Sequence, residues 1–215
     1  MKEALLEGLL RQMRLRRTLP TIKAFKEPSV LDIGCGWEVR LLREIEPYIA
    51  RGVGIDFKAP HISTEKLEVF PYYFESKQTS RSPAAAGGGQ LNNWENASYL
   101  GYCKLPFKDS EFDVVCLLAV LEHLNYPFDM MQEIARVLKP KGVAILTVPS
   151  HLAKPVLEFL SFKLKIVSED EIADHKRYYN KKDLLSLSAN LNTLKLAKHK
   201  YFQCGMNNFA LFEKQ

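Results

Sequence analysis

The residues best equipped for chemistry begin at Val30–Trp37, VLDIGCGW, where an apolar run meets two glycines spaced by one residue. Gly34 permits a sharp turn there and Gly36 lets the backbone approach a ligand. Amides opening the helix that follows, with Val39, Leu41, Leu42 and Ile45 on its apolar side, would favour a carboxylate or phosphate. Asp56 closes the next apolar run, GVGIDF, where a carboxylate can accept both hydroxyls of an adenosine ribose. A dinucleotide fingerprint would need glycine or alanine at position 39, which is valine. Asp32, just before the first glycine, would repel a pyrophosphate and suits an ammonium group.

Histidines supply the second set of candidates. His123 in LEHL could act as a general base, or it could order the loop beside a ligand. Asp174 and His175 in ADHKRYYNKKDL put a carboxylate beside an imidazole, either as a proton-handling pair or as part of a surface turn. His61, His151 and His199 have no partner pattern. With no HxxxH or HxH pair, spacing argues against a catalytic metal site. Cys35, Cys103, Cys116 and Cys204 lie far apart, which argues for reduced thiols rather than a zinc knuckle or a disulfide framework. Trp37 could cover a ligand or pack on the helix.

These motifs, continued by LPFKDSEFDVVCLLAVLEHL (Leu105 to Leu124) and MMQEIARVLKPKGVAILTVPS (Met130 to Ser150), resemble the class I S-adenosylmethionine-dependent methyltransferases, notably the ubiquinone/menaquinone-biosynthesis-like group. The resemblance covers roughly Val30 to Ser150. It implies an S-adenosyl-L-methionine site formed by Asp32, Gly34, Cys35, Gly36, Asp56 and Phe57. It also implies that Leu118 packs on the cofactor, that Cys103 and Lys104 flank the adenine, and that Arg16 or Arg17 meets the cofactor's carboxylate. Residues 150–180 would cover the substrate. The chain departs from the family pattern at Glu38, where a third glycine is usual, and at GYCK, which lacks the usual adenine-edge acid.

The elements needed to position these residues follow from periodicity. Short β-branched runs alternate with helical stretches from Ser29 onward, which predicts an α/β, Rossmann-like, doubly wound and mostly parallel sheet of about seven strands. The predicted strands are 30–33, 52–56, 112–117 and 143–148, with helices over 40–47 and 129–138. Lys139–Gly142, KPKG, reads as a turn between helix and strand. A helix over 181–191 and an antiparallel hairpin of 194–202 and 207–213 would close the sheet. The stretch 76–98 is rich in Gly, Ser and Asn and reads as a flexible insertion, with the third strand either before it in LEVFPYYF or after it in ASYLGYC.

One domain is expected for 215 residues, with 1–28 as a helical cap whose Leu5, Leu6, Leu9, Leu10 and Met13 form an apolar stripe. No apolar run reaches the roughly 20 residues of a membrane span, and no signal-peptide cleavage site is visible, so a cytoplasmic protein is expected. A net charge of +5 is spread along the chain and gives no nucleic-acid signature. The segment after FDVV also lacks the [DN]PP[YFW] pattern of enzymes that methylate base amines. The expected reaction is therefore methyl transfer to a small-molecule or glycan-like acceptor. Rival readings are a non-catalytic cofactor-binding protein and a nicotinamide oxidoreductase.

Overall fold

A computed structural model describes residues 5–74, 101–156, 175–191 and 193–215. Eight strands form one sheet: β1 (Ser29–Ile33), β2 (Arg51–Asp56), β3 (Ile62–Ser63), β4 (Leu67–Pro71), β5 (Phe112–Leu118), β6 (Leu138–Pro149), β7 (Leu194–Phe202) and β8 (Asn207–Lys214). Their spatial order is β3-β4-β2-β1-β5-β6-β8-β7. The central pairings β4–β2, β2–β1, β1–β5 and β5–β6 are all parallel, whereas β8 runs antiparallel to both β6 and β7, and β3 to β4. The order reverses direction between β1 and β5, and a doubly wound sheet opens its ligand crevice at the carboxyl ends of strands at such a switch point.

Alternation along the strands assigns side chains to two cores. Leu31, Ile33, Val115 and Leu117 face one side with Met130 and Ile134 of α3 (Pro127–Val137) and Leu184 and Leu187 of α4 (Lys181–Ala189). Val30, Val114 and Ile145 face the other with Leu42 and Ile45 of α2 (Arg40–Ile45) and Ile22 of α1 (Leu5–Lys23). On that second side β2 presents Gly52 and Gly54, so α2 can press against bare backbone. A Cβ built on Gly54 would lie 2.9 Å from a Leu42 methyl and 3.0 Å from the Cys35 sulfur. Gly54→Ala is therefore expected to lower stability by about 1–3 kcal/mol through overpacking. Thermal unfolding measures it, and an unchanged midpoint would contradict this packing.

Several expectations need correction. Lys139–Gly142 does not leave the sheet: β6 starts at Leu138, and the tract is absorbed as a bulge, with Phe112 opposite Leu138 but Val114 opposite Val143 and Lys141 in the left-handed region at φ 63°. The third strand lies before the 76–98 stretch, as β4, while that stretch falls outside the described residues. Helix α1 docks through Met13, Leu15, Leu19 and Ile22, whereas Leu9 of the expected stripe is 55% exposed. Sequence periodicity located the helix and Met13 on its inner face, while the other docking residues, Leu15, Leu19 and Ile22, lie beyond the expected stripe.

Candidate active site

The glycine loop leaves β1 at the switch point. Gly34 has φ 80°, and a Cβ on it would sit 2.3 Å from a Val120 methyl, so the turn after β5 rests directly on this glycine. The Gly34 and Cys35 amides donate to the Ile55 carbonyl at 2.8 and 3.3 Å, and the Gly36 amide donates to Asp56 Oδ2 at 3.2 Å. These glycine-loop amides are thus engaged within the protein, while α2 is only six residues long and preceded by Val39 at φ 55°. Asp56 Oδ1 accepts from the Lys58 amide at 2.8 Å, and each carboxylate oxygen keeps a lone pair for a hydroxyl. Phe57 and Tyr73, both exposed, lie with ring centroids 6.1 Å apart beside it.

Asp32 is 3% exposed on β1. Burial first, and then the nearby Asp56 charge, push its carboxyl up to about 7. Burial and these same acids also push the Cys35 thiol upward, so it is not a thiolate nucleophile at neutral pH. Glu38, which stands where the family pattern has a third glycine, lies just before α2. Its carboxylate receives Arg40 Nη2 at 2.7 Å and Arg11 Nη1 at 3.2 Å, tying the glycine loop to α1.

Past β5 the chain turns through Ala119 at φ 58°, whose amide donates to the Thr147 carbonyl, and enters a 3-10 turn at Leu121–His123. This brings Glu122 inside at 1% exposure. Burial pushes its carboxyl up to about 7 against the opposing influence of His123, of a backbone hydrogen bond and of Arg14. Residues 175–179 then lace onto the same turn: the Lys176 and Arg177 amides donate to the Glu122 carbonyl, and Arg177 Nη1 donates to the Leu124 carbonyl at 2.6 Å. The His123 and His175 rings meet edge to face with centroids 4.8 Å apart. The fold therefore joins two histidines that the sequence presents as separate candidates, and adds Glu122, whose adjacency to His123 carried no metal-ligand spacing in the sequence. Asp174 lies outside the described residues.

The opposite flank, residues 102–105, hangs from two buried acids on α3. Asp129 Oδ2 accepts from the Tyr102 amide and Glu133 Oε2 from the Leu105 amide, both at 2.8 Å. These acids were missed, although their i, i+4 spacing on an apolar helix face is a visible signal. Cys103 points into the core with its sulfur on the Tyr126 carbonyl, while Lys104 is exposed.

The model of a methyltransferase domain family matches residues 6–192. The chain belongs to this family. With membership comes S-adenosyl-L-methionine as the cofactor. Curated relatives of the domain include the 27-O-demethylrifamycin SV methyltransferase of Amycolatopsis mediterranei, 30% identical over 69% of this chain and 52% of that protein. Another is the demethylmenaquinone methyltransferase of Lactiplantibacillus plantarum, 27% identical over 66% and 54%. The chain spans about half the length of these two. The fold is shared with a chain from the complex between the Trm112 methyltransferase activator and a methyltransferase of Haloferax volcanii, at 15% identity, TM-score 0.65, and 98% and 95% coverage.

Within the domain, Asp32, Gly34, Cys35, Gly36, Asp56, Phe57 and Leu118 all sit at the carboxyl ends of β1, β2 and β5. Arg16 and Arg17 are exposed, Arg17 lying over the Phe202 ring, whereas it is Arg14 whose charge reaches Glu122. Trp37 is 70% exposed and does not pack on a helix. His151 pairs with Asp183 at 3.0 Å and His199 with Asn208 at 2.8 Å. Cys35, Cys103, Cys116 and Cys204 are free thiols, with Cys204 exposed. Among the described residues no helix is long and apolar enough to cross a membrane.

Proposed function

We propose that this domain transfers the methyl group of S-adenosyl-L-methionine to a hydroxyl oxygen of a small-molecule acceptor. The observation that carries the reading is the convergence of Glu122, His123 and His175 on the turn whose Val120 touches Gly34. A sulfonium methyl is already electrophilic, so the protein must mainly align the acceptor and exclude water. A hydroxyl acceptor must also lose its proton, and this cluster of imidazole and carboxylate groups beside the cofactor loop is suited to promote that loss. The relative named for a 27-O-demethylated substrate supports an oxygen acceptor.

In this reading Asp56 accepts the ribose hydroxyls, Phe57 flanks the adenosine, Asp32 faces the ammonium end and Leu118 packs on the cofactor. Cys103 and Lys104 hold the adenine side through their backbone. Arg14 is better placed than Arg16 or Arg17 to reach inward. Incubation with methyl-labelled cofactor across phenols, sugars, amines and nucleic acids tests the acceptor class. Label in phenolic or sugar hydroxyl products is expected, and label confined to amines or nucleic acid would overturn the reading.

A pH dependence follows from Asp32. Its folded-state value of about 7 lies above the ordinary 3.8, so the stabilising contribution of its protonated form is complete below about 3.8 and lost as pH rises through 7. The cofactor's ammonium favours the ionised form, so cofactor affinity should rise between about pH 5.5 and 7, before the amine itself loses its proton near 8. Calorimetric titration measures this. Asp32→Asn should flatten the profile, and equal slopes in both proteins would remove Asp32 from the cofactor site.

A further inference from the structure

We propose that Glu122, His123 and His175 form a binding site for one first-row divalent cation, with Zn²⁺ the best match. Each residue offers one ligand atom, and the three atoms all lie within 4.8 Å of one another. Two imidazoles and one carboxylate are a donor set that holds zinc, at bond lengths of about 2.0–2.2 Å, with a fourth position open.

The second observation is Glu122 Oε2, which is buried with no hydrogen-bond partner among the described residues. A carboxylate oxygen taken from water without a partner is costly, and a cation in the adjoining space satisfies it. The scaffold is also preorganised. The Lys176 and Arg177 amides on the Glu122 carbonyl fasten the strand-end turn to the segment bearing His175. Spacing in sequence hid this site, because one ligand arrives from far downstream and the other two are adjacent.

The charge balance indicates what the open position takes. Arg14 acts on Glu122 from the N-terminal helix, so cation, carboxylate and guanidinium together leave the site positive. An ionised oxygen is then the favoured fourth ligand. Resting on the hydroxyl-methylation reading, the acceptor hydroxyl binds the cation and releases its proton to solvent. Its oxygen attacks the methyl carbon, and the carbon–sulfur bond breaks with its electrons on sulfur. The products are a methyl ether and S-adenosylhomocysteine.

The test uses the whole chain, stripped by chelator and titrated with Zn²⁺ by calorimetry, with Co²⁺ absorption as a second readout. One equivalent per chain is expected, together with a visible Co²⁺ band of low coordination number. Glu122→Gln and His175→Ala should each weaken Zn²⁺ at least tenfold, and His61→Ala should not. His175→Asn serves if the alanine variant folds poorly, and undiminished S-adenosylmethionine binding reports an intact fold. No Zn²⁺ binding, or equal affinity in wild type, Glu122→Gln and His175→Ala, overturns the site. Zn²⁺ binding without methylation of any hydroxyl would defeat the acceptor reading and leave the site standing. Hydroxyl methylation by protein that binds no Zn²⁺ would do the reverse.

Discussion

Gly34→Ala is expected to cost the domain both stability and its cofactor. Two penalties coincide at this position. A φ of 80° is uncomfortable for any residue with a Cβ, and the added methyl would fall 2.3 Å from the Val120 methyl. Strained backbone of this kind costs about 1–3 kcal/mol and overpacking a similar amount, so a combined loss of about 2–6 kcal/mol is expected. Relief would require the loop to move away from β5, and cofactor affinity should fall by roughly 100-fold, which corresponds to about 2.7 kcal/mol. Thermal unfolding and calorimetric titration give the two readouts. Adding Val120→Ala should recover the steric part and leave the backbone part, which separates the causes. A Gly34→Ala protein that binds cofactor like wild type would show that this turn does not shape the site.

His175→Ala should reduce kcat by about 100- to 10,000-fold, the contribution of a positioned group that promotes proton loss from the acceptor, and leave the cofactor Kd unchanged. The ring lies against His123 on a segment laced to the Glu122 carbonyl, whereas the glycine loop and Asp56 are built from other strands. Binding and chemistry should therefore separate in this variant. Single-turnover methylation of a hydroxyl acceptor measures the effect. A kcat near wild type would show that the histidine pair takes no part in the reaction.

The legible parts of this protein were those governed by local pattern. Buried β-branched runs located β1, β2 and β5, and the hairpin of β7 and β8 appeared within a residue of its expected ends. Gly34, Gly36 and Asp56 were visible because turn geometry and ribose chemistry demand those residue types at strand ends. What escaped detection depends on contacts between distant segments. His123 and His175 look unrelated until the Lys176 and Arg177 amides reach the Glu122 carbonyl. Glu122 gave no local sign of burial, because nothing in the sequence announces that Ala119 turns the chain and carries it inside. The KPKG tract misled for the opposite reason: its local turn preference is real, yet the β5–β6 ladder holds it within a bulge.

Trp37 gives the molecule a built-in optical gauge. Its indole stands 70% exposed in water, one residue beyond Gly36 and one before the acid that ties the loop to α1. Any event that dries or rigidifies this loop shifts the emission of that ring to the blue, and the difference between wild type and Trp37→Phe isolates it from Trp94. Loop closure can thus be timed in stopped flow without attaching a dye, which would resolve whether cofactor capture or methyl transfer sets the pace of a turnover.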